Sequence, residues 1–174
     1  RENKIINDLL SLVKMDKTAN TMNIKSENMN ELIEKILKRL RPIAATRNIE
    51  LVYESFRPVT TEVDEMKISL AISNLVENAI KHGLSLKEGE KRLRICVSRQ
   101  TGGTRVCVSD NGLGYYPAHG QNLYNTGTGL KMLYQTADVL NGMNKEKLTV
   151  TVDNRKEDCG TEVCIFIPAN YKIE

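Results

Sequence analysis

Apolar positions recur with the 3.6-residue period of a helix in four stretches of this chain, and with the two-residue period of a strand in several others. Residues 1–17 carry Ile5, Ile6, Leu9, Leu10, Leu12 and Val13 as one broad stripe. A second helix is predicted to start near Asn28, an N-cap residue with Glu31 three positions on in capping-box position. Its stripe is Leu32, Ile33, Ile36, Leu37, Leu40, Ile43 and Ala44. Pro42 is expected to bend or interrupt it, because the ring removes a donor and crowds the preceding turn. A third helix spans Asp64 to about His82 and repeats Ile68, Ile72, Leu75 and Ala79. The fourth opens at Gly127-Thr128-Gly129 and holds Leu130, Leu133, Ala137 and Leu140.

Strand patterns fill the intervals. Met22 to Lys25 is a short one, Ile49 to Ser55 is β-branched and aromatic, and Val59 to Val63 follows. Leu93, Ile95 and Val97 alternate within Arg92–Arg99, as do Val106 and Val108 within Arg105–Ser109. Thr101-Gly102-Gly103 between them reads as the turn of an antiparallel hairpin. Leu148–Val152 and Glu162–Ile167 predict a second hairpin, ending at Pro168. The sum is a two-layer α/β sandwich, a mixed, mostly antiparallel sheet covered by helices on one face. Ser85 to Lys91 reads as a solvated connection of mixed charge. Asp110 to Thr126 shows little periodicity and is rich in Gly, Asn and Tyr, so it predicts a long loop of the functional or disordered kind.

Composition narrows the class. A chain of 174 residues suits one globular domain. A net charge of +3 does not imply nucleic-acid binding. No run reaches the ~18 apolar residues of a membrane span, and no signal peptide is visible. The chain begins without a methionine inside helical sequence, so a fragment of a longer protein is expected. Cys96, Cys107, Cys159 and Cys164 form no CxxC and lie in no zinc-like spacing with a histidine. They read as reduced structural residues of a reducing cytoplasm, with Cys96 and Cys107 half-buried in strands.

Three segments look chemical. On the third helix Asn74, Asn78 and Lys81 fall at i, i+4 and i+7, a polar face ending in a cation that suits a metal and phosphates. Asp110-Asn111-Gly112-Leu113-Gly114 ends a buried strand in a carboxylate, which can only accept and so suits an exocyclic amine such as that of adenine. Its glycines let backbone approach a ligand closely. Gly127-Thr128-Gly129-Leu130 places a glycine turn at a helix N-terminus, where free N–H groups favour phosphate. Each segment alone also reads as an ordinary turn or a solvated face; their order and separation carry the signal.

In that order they resemble the GHKL ATPase superfamily, and within it the catalytic ATP-binding domain of bacterial sensor histidine kinases, over about Met22 to Tyr171. Asn74 to Gly83 is similar to the N box, Asp110 to Gly114 to the G1 box, and Gly127 to Leu130 to the G2 box. Gly160-Thr161 resembles the last adenine-side element. The resemblance implies a Bergerat-type fold and ATP with Mg²⁺ as cofactors. It implies that Asn78 holds Mg²⁺ with Asn74 assisting, that Lys81 reaches the phosphates, and that His82 lies near adenine or ribose. Asp110 would accept from the adenine amine with Thr161 nearby. Gly112, Gly114, Gly127 and Gly129 would frame an ATP lid flanked by Tyr115, Thr128, Leu130 and Lys131.

Residues 1–20 resemble the C-terminal end of a dimerisation and phosphoacceptor hairpin and its linker, leaving 21–174 as the catalytic domain. Neither His82 nor His119 has the H-E-x-x-x-P-like context of a phosphoacceptor, so the substrate histidine is expected on that separate hairpin. The implied partners are this hairpin domain, a response regulator receiver domain and a second copy in the full-length protein. The implied location is the cytoplasmic side of a parent anchored in the bacterial inner membrane. Three departures stand out: the lid lacks a clear F box, leaving Tyr115, Tyr116 and Tyr124 as its aromatics; Lys131-Met132 follows Gly127–Leu130 in place of the usual second glycine pair; and Glu77 precedes Asn78. The position four before Asn78 is Asn74, where the topoisomerase-like and chaperone-like branches have a water-activating glutamate. An amide cannot act as that base, and Glu77 points roughly 100° away from Asn78 on an α-helix. Slow hydrolysis is therefore expected. An anti-sigma-factor-type serine kinase and a non-catalytic nucleotide-sensing module are the alternatives.

Overall fold

The computed structural model describes residues 23–115, 128–142, 145–156 and 159–169. The predicted helix over residues 1–17, and the boundary after residue 20, lie outside them, as do Tyr116, His119, Tyr124 and Gly127. Seven strands are present among the described residues: β1 (Ile24–Asn28), β2 (Ile49–Ser55), β3 (Thr60–Asp64), β4 (Lys91–Gln100), β5 (Gly103–Asp110), β6 (Thr149–Asn154) and β7 (Thr161–Pro168). Three α-helices accompany them: α1 (Met29–Ala45), α2 (Glu65–Asn78) and α3 (Thr128–Gly142).

The main sheet has the order β2-β4-β5-β7-β6. Only β2 and β4 run parallel; the other three pairings are antiparallel. β1 and β3 form a separate antiparallel pair beside it. Residues at alternate positions of the sheet (Leu93, Ile95, Val97, Val106, Val108, Val163, Ile165 and Ile167) enter one core with the apolar stripes of the three helices. The layers are thus those the periodicity predicts.

Local chemistry sets the helix ends. Asn28 caps α1, its Oδ1 accepting from the Asn30 and Glu31 amides while its Nδ2 donates to Glu31 Oε1 at 2.9 Å. Pro42 does not interrupt α1. It sits in the last turn, so the bond it removes and the crowding of its ring fall where the helix is about to end, and its carbonyl accepts from Thr46. Ile43, predicted on the buried stripe, is 39% exposed, while Met29 is fully buried instead. Asp64 caps α2 by accepting from the Lys67 amide at 3.1 Å, and its carboxylate also faces Lys67 Nζ at 3.5 Å in a nearly dry setting. The Arg39 guanidinium donates to Ser73 Oγ at 2.8 Å, tying α1 to α2.

Two findings depart from the sequence reading. Beyond Asn78 the helix does not continue as α; residues Ala79–Gly83 form a π-turn closed by Leu84 N–H to Ala79 O, a bond spanning five residues. The cysteines also depart from the reduced set expected: Cys107 and Cys164 are joined by a disulfide. They are exact register partners on β5 and β7. Alternation tells which face a residue occupies but not which strand lies beside it, and β5 and β7 are sheet neighbours although α3 and β6 come between them in the chain.

Candidate functional site

The end of β5, the π-turn and the start of β7 meet at Asp110. This carboxylate is 5% exposed. Its Oδ1 accepts from the Gly112 amide at 2.8 Å and the Thr161 amide at 3.2 Å. Bonds of this kind fix the carboxylate plane.

Three glycines enclose it. A Cβ on Gly83 would stand 2.9 Å from Asp110 Oδ2. One on Gly112 would collide with the Gly83 carbonyl oxygen and come within 2.8 Å of Asp110 Oδ1. One on Gly160 would overlap the backbone carbonyl of Asp110. Backbone therefore closes around the acid from three segments far apart in sequence. Gly83 and Gly160 belong to the sequence motifs, but their steric role could be found only once the π-turn and β7 were placed against β5.

Asn111, between Asp110 and Gly112, has a structural task. Its Oδ1 accepts from the Arg92 amide at 2.8 Å, its Nδ2 donates to the Glu90 carbonyl, and its own amide donates to Arg92 O. This clamps the loop after β5 to the start of β4. Gly114 has φ of +87°, a conformation glycine adopts without strain. Tyr115 is then held by Asn154 of β6: the Tyr115 amide donates to Asn154 Oδ1 at 2.6 Å and Asn154 Nδ2 donates to the Tyr115 carbonyl at 2.8 Å.

On α2, Asn74 and Asn78 are both half-buried, one turn apart, beside the fully buried stripe of Ile68, Ile72 and Leu75. Their carboxamide oxygens are hard neutral donors of the type Mg²⁺ accepts together with waters and phosphate oxygens. Lys81 and His82 lie in the π-turn and are exposed. Lys81 Nζ meets Glu77 Oε2 at 2.6 Å, so the cation is held on the flank of the helix where Glu77 points. Arg47, which no motif pattern singles out, donates to the carbonyls of Ile80 and Lys81 at 3.2 and 3.5 Å and so satisfies acceptors the wide turn leaves open.

α3 packs alongside α2. Thr128 and Gly129 form its first residues, Leu130 packs against the core, and Lys131 is exposed. The structure thus brings Asp110, Gly112 and Thr161 into direct contact, and sets the helix bearing Asn74 and Asn78 against the helix that opens with Thr128.

The sequence profile of histidine kinase-, DNA gyrase B- and HSP90-like ATPases matches residues 63–171. The chain belongs to this family of ATP-binding domains. Its relatives within it are sensor histidine kinases. The phosphate regulon sensor protein PhoR of Pseudomonas aeruginosa is 31% identical over 119 residues, covering 68% of this chain and 26% of PhoR. The sensor protein kinase WalK of Staphylococcus haemolyticus is 26% identical over 183 residues, 95% of this chain and 28% of WalK. The chain thus spans about a quarter of the length of these relatives. Among solved structures, the catalytic domain of histidine kinase ThkA superposes with a TM-score of 0.71 at 22% identity, covering 85% of this chain and 97% of that one. At that identity the likeness speaks for the fold alone.

Proposed function

We propose that this domain binds Mg-ATP and passes the γ-phosphoryl group to a histidine on a separate dimerisation and phosphoacceptor domain. The observation that carries the reading is the anchored Asp110 carboxylate with the glycine backbone around it. A buried carboxylate held by the Gly112 and Thr161 amides is fixed in direction at the end of β5, and an acceptor so placed is complemented by an amine-bearing base. GTP, with an oxygen where ATP has the amine, would set acceptor against acceptor and be rejected.

Asn78, with Asn74, would hold Mg²⁺, which when bound neutralises charge between the phosphate oxygens. Lys81 would turn from Glu77 to the phosphates, His82 would lie near adenine or ribose, and the N-terminus of α3 with Lys131 would add phosphate contacts. Asn74 cannot deprotonate water, so the domain would hold ATP for its protein acceptor rather than hydrolyse it. The parent would be a membrane-anchored homodimer that relays phosphate to a response regulator receiver domain.

The test has two arms. Calorimetry with ATP, GTP and Mg²⁺ reads binding; incubation with a matching phosphoacceptor hairpin and γ-labelled ATP reads transfer. Acid-labile, alkali-stable phosphate on the hairpin is expected. Tight Mg-ATP binding with no transfer to any matching hairpin would leave a nucleotide-sensing module, and acid-stable phosphoserine on a separate partner would mark a serine kinase.

A further inference from the structure

Three of the four cysteines stand in one row across the sheet face turned away from the helices. Cys96 on β4 is the register partner of Cys107 on β5, and Cys107 is the register partner of Cys164 on β7. Alternation confirms the face: Ile95, Val97, Val106, Val108, Val163 and Ile165 are the buried neighbours that point the other way. Cys107 and Cys164 form a disulfide, and Cys96 is a half-buried free thiol.

Backbone geometry places Cys96 within bonding range of Cys107. The Cα atoms of Cys107 and Cys164 are 4.1 Å apart, the close spacing of a non-hydrogen-bonded antiparallel pair. The amide and carbonyl of Cys107 therefore turn to β4, making Cys96 and Cys107 a hydrogen-bonded pair with Cα atoms about 5.5 Å apart. That spacing lies inside the range disulfides span. Cys96 and Cys164 are two strand spacings apart, roughly 9.5 Å, which no disulfide bridges.

We propose that Cys96, Cys107 and Cys164 form a thiol–disulfide exchange site in which Cys107 is the shared sulfur. The Cys96 thiol gives its proton to solvent, and the thiolate attacks Cys107 Sγ. The Cys96–Cys107 bond forms, the Cys107–Cys164 bond breaks, and Cys164 leaves as a thiolate; no external oxidant or reductant is consumed. The linear row suits this displacement, with attacking and leaving sulfurs on opposite sides of the central one. The Arg105 guanidinium lies 3.2 Å from Cys164 Sγ and can hold the departing anion. Forming the first bond from three thiols takes an oxidant, for which a low-molecular-weight disulfide suffices, reduced to two thiols in the process.

The charges facing Cys96 are Glu54 and Arg94 on the β2–β4 side and Glu162 and Arg105 towards β7. Burial first, then Glu54, holds the thiol above its ordinary pKa, so exchange is slow at neutral pH and quickens in alkali.

Disulfide peptide mapping of the 174-residue chain, equilibrated with reduced and oxidised glutathione, tests the site. Cys164→Ser should convert the main bond to Cys96–Cys107, Cys96→Ser should retain Cys107–Cys164, and Cys107→Ser should leave no bond between Cys96 and Cys164. The wild-type chain, mapped after an alkaline pulse and rapid alkylation, should show a minor Cys96–Cys107 isomer with label on Cys164. A folded Cys164→Ser chain carrying glutathione on Cys107 beside a free Cys96 would overturn the proposal. Should that variant not fold, a wild-type chain that never yields the isomer at high pH would overturn it equally.

Discussion

The Thr161 amide donates to the Asp110 carboxylate across 51 residues of sequence, at 3.2 Å. Because Gly112 donates to the same oxygen, the acid is anchored by backbone from both β5 and β7, and its position does not depend on any rotamer but its own. This separates two replacements. Asp110→Asn keeps an oxygen for both amides and should keep the fold, while its NH₂ faces an incoming base with a donor. ATP affinity should fall by about 10- to 100-fold, the loss of ~1.5–3 kcal/mol for a charged hydrogen bond, and preference should shift towards GTP. Asp110→Ala should lose ATP binding and also melt earlier, since two buried N–H groups lose their acceptor. Calorimetry and thermal melts read the two effects; equal ATP affinity in Asp110→Asn would remove Asp110 from the base pocket.

The glycines around the acid divide by what a methyl group would strike. Gly160→Ala drives a Cβ into the Asp110 backbone, which cannot yield without moving β5, so a loss of about 1–3 kcal/mol or more of stability is expected. Gly83→Ala presses mainly on the Asp110 side chain and should weaken nucleotide binding more than it lowers the melting midpoint. Denaturant titration beside calorimetry on each variant checks the contrast.

Glu77 competes with phosphate for Lys81. Removing that competition in Glu77→Gln should tighten ATP binding by roughly twofold at low ionic strength, the scale of a half-exposed i,i+4 pair. The gain should fade in high salt. An affinity unchanged at low salt would place Lys81 away from the phosphates.

Asn78→Ala should bind ATP with an affinity that no longer responds to Mg²⁺, measured by titrating nucleotide with and without the ion. A retained magnesium response would move the metal contact to another residue.

Burial raises the Cys96 thiol pKa, and Glu54 adds to the rise. Its alkylation rate should therefore climb through a midpoint above the ordinary thiol range, followed by mass spectrometry of the native chain from neutral to alkaline pH. The folded state holds that proton more tightly than the unfolded chain does. Its contribution to stability is whole below the ordinary thiol pKa and declines as pH rises through the raised value. A midpoint equal to that of the unfolded chain would contradict the half-buried placement.

The layers, the two hairpins and much of the core are legible as periodicity, because burial on one face imposes it: Leu93, Ile95 and Val97 alternate, and all are buried, whereas Ala71, Val76, Ile80 and Leu84 are buried outside the stripes the spacing picks out. The acid at the end of β5 is legible too, since a carboxylate and glycines close a strand with no core role. What the pattern does not carry is lateral neighbourhood. Cys107 beside Cys164, Tyr115 beside Asn154 and Gly160 against Asp110 all depend on strand order, which local spacing leaves open. Arg47 on the carbonyls of the π-turn is hidden for the same reason, as its partners lie 33 and 34 residues away. Lys81 illustrates a different limit: the i, i+4, i+7 count assumes α geometry up to position 81, and the helix changes pitch at Ala79.

That change of pitch can be read as a one-residue insertion. A chain shorter by one residue between Asn78 and Leu84 could close the same turn with ordinary four-residue bonds. Wound as α at its present length, the segment would instead turn the residues that follow by about 100° about the helix axis and carry Gly83 off the Asp110 carboxylate. The extra residue thus serves as a spacer. It decouples the phase of the apolar stripe, which the core dictates, from the phase at which backbone meets the acid, so that each can be satisfied without the other.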